Sequence, residues 1–498
     1  MGLISALSIP FAYMMGAKNK RWINNPIQSQ ERVFQGLIST AKHTLFGKDH
    51  SFEDIKSYQD FVRLVPVRDY EALKSYIDKI IAGQKDVLWK GRPLYFTKTS
   101  GTTSGTKYIP ISKESMPFHL KSAKDAMLSY IKETKDASFI GGKTIFIQGS
   151  PQLDDTNGIP TGRLSGIVAH HLPWYLKRNN LPSFDTNSIS DWEQKVDAIV
   201  EETLSQKMTL ISGIPPWVQM YFEKIQKRTN QPISTVFPDF SLMIHGGVNF
   251  KPYKQRFEEL IGKSIPSIET YPASEGFIAY QDSQSEEGLL LCVNHGIFFE
   301  FIESAHFFDN HPTRISLAEV EIGKDYVVIL NTNAGLWGYN IGDTIRFVST
   351  SPYRIIVTGR IKHYTSAFGE HVIGKEVEKA MYETAEKHQV IINEFHVAPQ
   401  VNPPSGLPYH EWFIEFKSPP NDMAAFTNRL NESMCSQNTY YNDLIKGKVL
   451  CPLKINCIVE GGFYKMMKER GKLGGQNKPP RLSNDRLLAD KLTPYAND

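Results

Sequence analysis

The sequence predicts an α/β protein, with a large N-terminal α/β domain over residues 1–357 and a small α+β C-terminal domain over 358–498. Three observations carry this. The stretches "MTLISGIPPWVQMYFEKIQK" and "SLMIHGGVNFKPYKQRFEELIG" each read as strand, Gly/Pro turn and helix, the succession that builds a sheet with ligand-binding loops at its strand ends. The composition shifts after "YRIIVTGRIKHYTSAFGEHVIG", and short strands and helices follow it. A chain of 498 residues with 41% hydrophobic content is also long enough for more than one core.

Along the chain, "MGLISALSIPFAYMMGAKNKR" is apolar, lacks a basic segment before it and is interrupted by Pro10. It is too short to span a bilayer, so it is expected to be an amphipathic helix packed on the body, with a membrane-surface role as the alternative. "FEDIKSYQDFVRLVPV" and "YEALKSYIDKIIAG" carry apolar residues at helical spacing. "KTIFIQGS" reads as a strand and "WEQKVDAIVEETLSQ" as a helix. In the C-terminal part, a helix over 376–388 precedes the strand "QVIINEFHVAPQV", the alternating strand "HEWFIEFK", a further helix and a strand around "LKINCIVEG".

One loop stands out. Between Thr97 and Lys107 the chain places nine hydroxyl-bearing or basic residues and two glycines, bounded by the strand-like "PLYF" and "YIPI". Small residues let backbone N–H groups converge on an anion, with hydroxyls as further donors and Lys98 and Lys107 at the shoulders. A hairpin closing over a triphosphate is the functional reading, and a solvated hairpin tip the plain one. It is not the P-loop of NTPases: Gly101 and Gly105 enclose three residues rather than four, and Thr106 precedes Lys107.

Four later segments carry weaker signals. In "YPASE", the ring of Tyr271 can stack on a purine and Glu275 can hold Mg²⁺, although a buried Tyr and a surface Glu at a strand end fit as well. In "YNIGD", Asp343 can accept the hydroxyls of a ribose, or simply close a Gly-Asp turn. Arg360, in "GRIK", lies at the domain boundary. Lys478 sits in the Gly/Pro-rich "GGQNKPPRL", from which it can reach across a cleft or remain solvated.

Other chemistries lack support. A net charge of +3 gives no basis for nucleic-acid binding. The four cysteines include no C-x-x-C pair and read as reduced thiols of a cytoplasmic protein. The chain has no H-E-x-x-H, no G-x-S-x-G and no G-x-G-x-x-G after a strand.

Taken in order, "TSGTTSGTK", "HGGVNF", "YPASE", "YNIGD", "GRIK" and "GQNKPPR" resemble the motif set of the acyl-adenylate-forming superfamily, which includes firefly luciferase and the acyl-coenzyme A synthetases. The match is closer to the auxin-responsive acyl acid–amido synthetases, in what reads as a bacterial-type member. "SGIPPWVQMY" and "EGGFYKMM" extend it, and it covers essentially the whole chain. The resemblance implies an ATP- and Mg²⁺-dependent enzyme that adenylates a carboxylic acid and then passes the acyl group to an amine, usually an amino acid. It implies that Ser100, Gly101, Thr102, Thr103 and Ser104 hold the phosphates, and that Tyr271 flanks the adenine with backbone at Gly246 and Gly247. Glu275 would take Mg²⁺, and Asp343 the ribose with Arg360. Lys478 would reach the reacting carboxylate and α-phosphate from a mobile C-terminal domain hinged at Lys362. His363 departs from the acidic residue common after that hinge lysine, which leaves the hinge geometry open. Arg163, His170 and His171 fall where an acyl pocket is plausible, and surface or core positions fit them as well. A thioester-forming acid ligase and a non-catalytic ATP-binding sensor remain the alternatives, and oligomeric state is not legible.

Overall fold

The computed structural model describes residues 3–102, 105–248, 250, 253–361, 364–365, 367–370, 372–470 and 479–497, with the backbone alone at some, Ser100, Gly101, Thr102 and Arg360 among them. Its centre is a mixed twelve-stranded sheet. One half is parallel: Asn180–Leu181, Lys143–Ile147, Met208–Gly213, Leu242–Gly246 and Ser267–Ala273 lie side by side. The two strand–turn–helix segments form as expected, with helices Pro215–Thr229 and Lys254–Ile261 returning after their strands. The first begins at two prolines, Pro215 and Pro216, and both end on a residue in the left-handed conformation, Asn230 and Gly262.

The other half is antiparallel and runs from Gly276–Tyr280 through Leu289–Leu291, Tyr353–Arg360, Tyr339–Thr350, Asp325–Thr332 and Ile297–Glu303 to Ile315–Ser316. Register shifts interrupt the ladder between Val327 and Ile329 and twice along Tyr339–Thr350. Such irregularities bend a strand and tighten its twist.

A separate four-stranded sheet holds the hairpin of Tyr95–Thr102 and Gly105–Ile111, joined to Ile159–Gly162 and Asp154–Thr156. Near the C-terminus, Ile391–Gln400, Tyr409–Ser418 and Lys454–Ile458 form a three-stranded sheet, covered by helices Gly374–His388 and Met423–Gln437. This is the α+β unit that the composition shift predicts. "HEWFIEFK" differs from its expected alternation: residues 409–415 are all buried, because helices cover one face and residues 482–496 pack near the other.

Two large cores result. The first joins the N-terminal helices to the antiparallel half-sheet through Phe34, Phe61, Phe298 and Trp337. The second runs from Ile145 and Ile211 through Trp217 and Tyr221 to Val377, Phe395 and Trp412, so apolar contact continues across the boundary drawn in the sequence. The N-terminal helix spans Leu3–Ile23 without ending at Pro10, which lies on its exposed side. "FEDIKSYQDFVRLVPV" is not one helix: a 3-10 turn at Phe52–Asp54 gives way to Tyr58–Leu64, opened by a Ser57–Asp60 capping box.

Candidate active site

The Thr97–Lys107 loop is a β-hairpin. Thr99 faces Lys107 and Thr102 faces Gly105, so the first strand carries one residue more than the second across Ser100 and Gly101. A bulge of this kind leaves its extra residue unpaired in the ladder, and backbone N–H groups freed in this way are what an anion-binding loop uses. Thr103 and Ser104 lie outside the described residues. At the shoulders, Lys98 pairs with Asp154, and the Lys107 ammonium lies 5.8 Å from the Tyr70 ring centre.

Gly246 and Gly247 close the strand Leu242–Gly246. A Cβ on Gly246 would sit 2.1 Å from the carbonyl oxygen of Thr270 on the neighbouring parallel strand, and Gly247 has φ +82°. Both positions therefore need glycine to bring this strand end against Thr270 and Tyr271. His245, one residue earlier, is buried and stacked on Phe250 at 4.2 Å between ring centres, and burial lowers its pKa to about 4.

The "YNIGD" segment is clamped before it reaches Asp343. Trp337 is fully buried beside Phe46, Phe52 and Trp89 and donates to the Leu88 carbonyl at 3.0 Å. Gly338 N–H donates to Asn331 Oδ1 at 2.7 Å, and Asn331 donates to Glu300 at 2.7 Å. Arg314 holds Glu300 with two bonds of 2.8 and 2.6 Å. This buried ion pair has its remaining valences filled, the condition under which such a pair orders its surroundings. Reading the sequence missed this chain, since its members lie apart and none sits in a motif.

These elements converge. Tyr271 donates its phenolic hydrogen to Asp343, and Asp343 stands opposite Arg360 in the antiparallel ladder. Three strands separate Tyr271 from Asp343 in the sheet order, so the curl of the sheet, rather than strand adjacency, joins them. Gly246 lies beside Thr270, the residue before Tyr271, and Glu275 occupies the turn between Ala273 and Gly276. Tyr271 and Asp343 are thus in contact, with the Gly246 backbone beside Thr270 and the Arg360 backbone opposite Asp343, and Glu275 lies four residues along from Tyr271. Lys362 and Lys478 lie outside the described residues.

The three residues read as near an acyl pocket have other partners. Arg163 binds Asp443 at 2.9 Å and stacks on Tyr440 at 4.6 Å, while the Tyr440 hydroxyl donates to the Lys98 carbonyl at 3.2 Å. The helix Thr439–Lys446 is therefore fastened to the stem of the hairpin. His170 contacts the Pro151 carbonyl at 2.8 Å, and His171 the Tyr95 hydroxyl at 3.0 Å.

The overall architecture is shared with a solved acyl acid amido synthetase and a solved CoA ligase. It superposes on a GH3.15 acyl acid amido synthetase with TM-score 0.62, at 16% identity over 97% of this chain and 96% of that one. It also superposes on a 2-hydroxyisobutyryl-CoA ligase solved with 2-HIB-AMP and CoA, with TM-score 0.60 at 14% identity over 95% and 92%. The chain belongs to the GH3 family: residues 18–190 match the GH3 family N-terminal domain, 290–360 its central domain and 375–487 its C-terminal domain. Among its relatives is the indole-3-acetic acid-amido synthetase GH3.15 of Arabidopsis thaliana, 23% identical over 93% of this chain and 92% of that protein. That relative is a plant protein, which leaves the bacterial-type reading without support.

Proposed function

We propose that this chain is an ATP-dependent acyl acid–amido synthetase. A carboxylate oxygen of the acid attacks the α-phosphorus of ATP, the bond to the bridging oxygen breaks and pyrophosphate leaves. An amine, probed first as an amino acid, then attacks the acyl carbon of the adenylate; AMP leaves, the nitrogen sheds a proton and an amide remains. The observation that carries this reading is the hydrogen bond from Tyr271 to Asp343, the residue opposite Arg360 in the ladder, in a chain of the GH3 family. On this reading the Tyr271 ring flanks the base and the Asp343 carboxylate takes the ribose.

The bulged backbone at Ser100–Thr102, with Thr103 and Ser104, binds the phosphates, and Gly246 and Gly247 leave room at the adenine. Two anions must meet in the first step, so positioning and charge neutralisation are the protein's main tasks. The donor set suits Mg²⁺ held through the nucleotide, since that ion usually takes one or two protein carboxylates plus phosphates, and Glu275 is a single carboxylate on a turn. When bound, the ion would neutralise phosphate charge. Lys478 supplies a cation to the reacting carboxylate and α-phosphate, and residues 358–498 move as a unit about Lys362. No helix among the described residues is long and apolar enough to cross a membrane, and all four cysteines are free; we read the enzyme as cytoplasmic.

The test is product analysis by mass spectrometry, with a panel of aryl and alkyl acids, ATP, Mg²⁺ and either amino acids or coenzyme A. An amide together with AMP supports the reading. A thioester with no amide would move the enzyme to the thioester-forming alternative.

A further inference from the structure

The helix Leu3–Ile23 packs one side against the protein. Ser5, Ala12, Asn19 and Trp22 are buried, Ile9 and Met15 lie partly buried against the core, and Lys132 of the helix Met116–Thr134 lies across Gly16. These positions recur at three- and four-residue spacing, as on any surface helix. The opposite side would ordinarily be polar. Here the exposed positions from 6 to 17 are Ala6, Leu7, Pro10, Phe11, Tyr13, Met14 and Ala17, and the tyrosine hydroxyl is the only polar side-chain group among them.

Leu7, Phe11 and Met14 form the centre of this side, at 61%, 41% and 59% exposure. They are four and three residues apart, so they lie in one stripe along the axis. The same line continues into Lys18 and Arg21, with exposed Lys20 beside them, and Leu3–Ile23 contains no Asp or Glu. An exposed apolar stripe ending in cations, on a helix with no carboxylate of its own, is the pattern of a helix lying in a lipid interface.

We propose that this face seats the protein on an anionic lipid bilayer surface. Leu7, Phe11 and Met14 enter the boundary between headgroups and acyl chains. Lys18, Lys20 and Arg21 stay at headgroup level, their stems along the apolar layer. Charge selects this occupant over a second copy of the chain: a copy's helix would bring three more cations and no carboxylate, whereas acidic headgroups neutralise all three. The helix lies on the surface and does not cross it.

The experiment is co-sedimentation of the full chain with vesicles of phosphatidylcholine alone or mixed with phosphatidylserine, at low and high salt. Binding to the phosphatidylserine vesicles, released by salt and absent on neutral ones, is expected. Phe11→Asp and Met14→Asp, both at exposed positions, lower that binding about tenfold or more, and Lys18→Glu with Lys20→Glu does the same while leaving the apolar stripe intact. If an aspartate variant fails to fold, Leu7→Ser and the charge reversals carry the test. No vesicle binding, equal binding to neutral vesicles, or undiminished binding by the variants would overturn the proposal. So would a concentration-dependent dimer abolished by Phe11→Asp, which would assign the face to a second copy.

Discussion

Tyr271 and Asp343, 72 residues apart in the chain, are joined by a hydrogen bond from phenol to carboxylate. Two motifs read separately in the sequence, one for a base and one for a sugar, therefore form a single unit. Asp343 is nearly buried, so its donors fix where its oxygens point. Tyr271→Phe keeps the ring and removes one donor. We expect KM for ATP to rise several-fold with a stability loss of about 1 kcal/mol, the net worth of one such bond. Asp343→Ala is expected to cost more in KM than Tyr271→Phe. Steady-state kinetics beside thermal melts check both, and an unchanged KM in both variants would separate the pair from nucleotide binding.

Lys478 is assigned the charge that meets the acid and the α-phosphate. Single donors placed where charge develops are worth roughly 2.7–4 kcal/mol. Lys478→Ala should therefore slow adenylation about a hundredfold or more while leaving ATP affinity within a few-fold. Single-turnover pyrophosphate release gives the rate; a normal rate would remove Lys478 from this role.

Arg163 and Asp443 join the helix Thr439–Lys446 to the side of the hairpin sheet. Both are partly exposed, so the ion pair itself is worth no more than about 1 kcal/mol. The guanidinium also covers Tyr440, so Arg163→Ala should destabilise more than Asp443→Ala. A double-mutant cycle in urea should show coupling of about 0.5 kcal/mol or more, since the residues touch. Additive losses would mean that the contact carries no energy.

Acid should unfold the protein through buried histidines. His119, His245 and His295 are buried, and burial is the first cause that lowers their pKa values, to about 4, 4 and 3. Below about 6.5 the unfolded chain takes up protons at these sites and the folded one does not. Stability is thus fully present above pH 6.5 and falls as pH drops towards 4, by about 1.4 kcal/mol per pH unit for each histidine. Urea melts between pH 7 and pH 5 measure the slope, and His119→Gln should make it shallower. A flat profile would contradict the assignment of these rings as neutral and buried.

The elements were legible where local chemistry decides them. Strand, Gly/Pro turn and helix follow each other in "MTLISGIPPWVQMYFEKIQK" because apolar spacing changes period at the turn, and the hairpin was legible from two strand-like runs around small residues. What depends on distant partners was not. Nothing near Arg163 announces Asp443, 280 residues away, so its ion pair was not legible from the sequence. The pairing of Lys98, at the loop's shoulder, with Asp154 was likewise not legible, because the strand Asp154–Thr156 that brings Asp154 beside it lies 56 residues away. "HEWFIEFK" looked half-exposed because alternation reports one covered face, and here both faces are covered.

The central claim is that this chain makes an acyl adenylate. Exchange of labelled pyrophosphate into ATP, with Mg²⁺ and a panel of carboxylic acids but no amine, tests it most directly. The account predicts exchange that depends on one class of acid and is reduced about a hundredfold or more by Lys478→Ala. Folded protein that binds ATP yet shows no exchange with any acid of the panel, while amide still forms when amine is added, would contradict it.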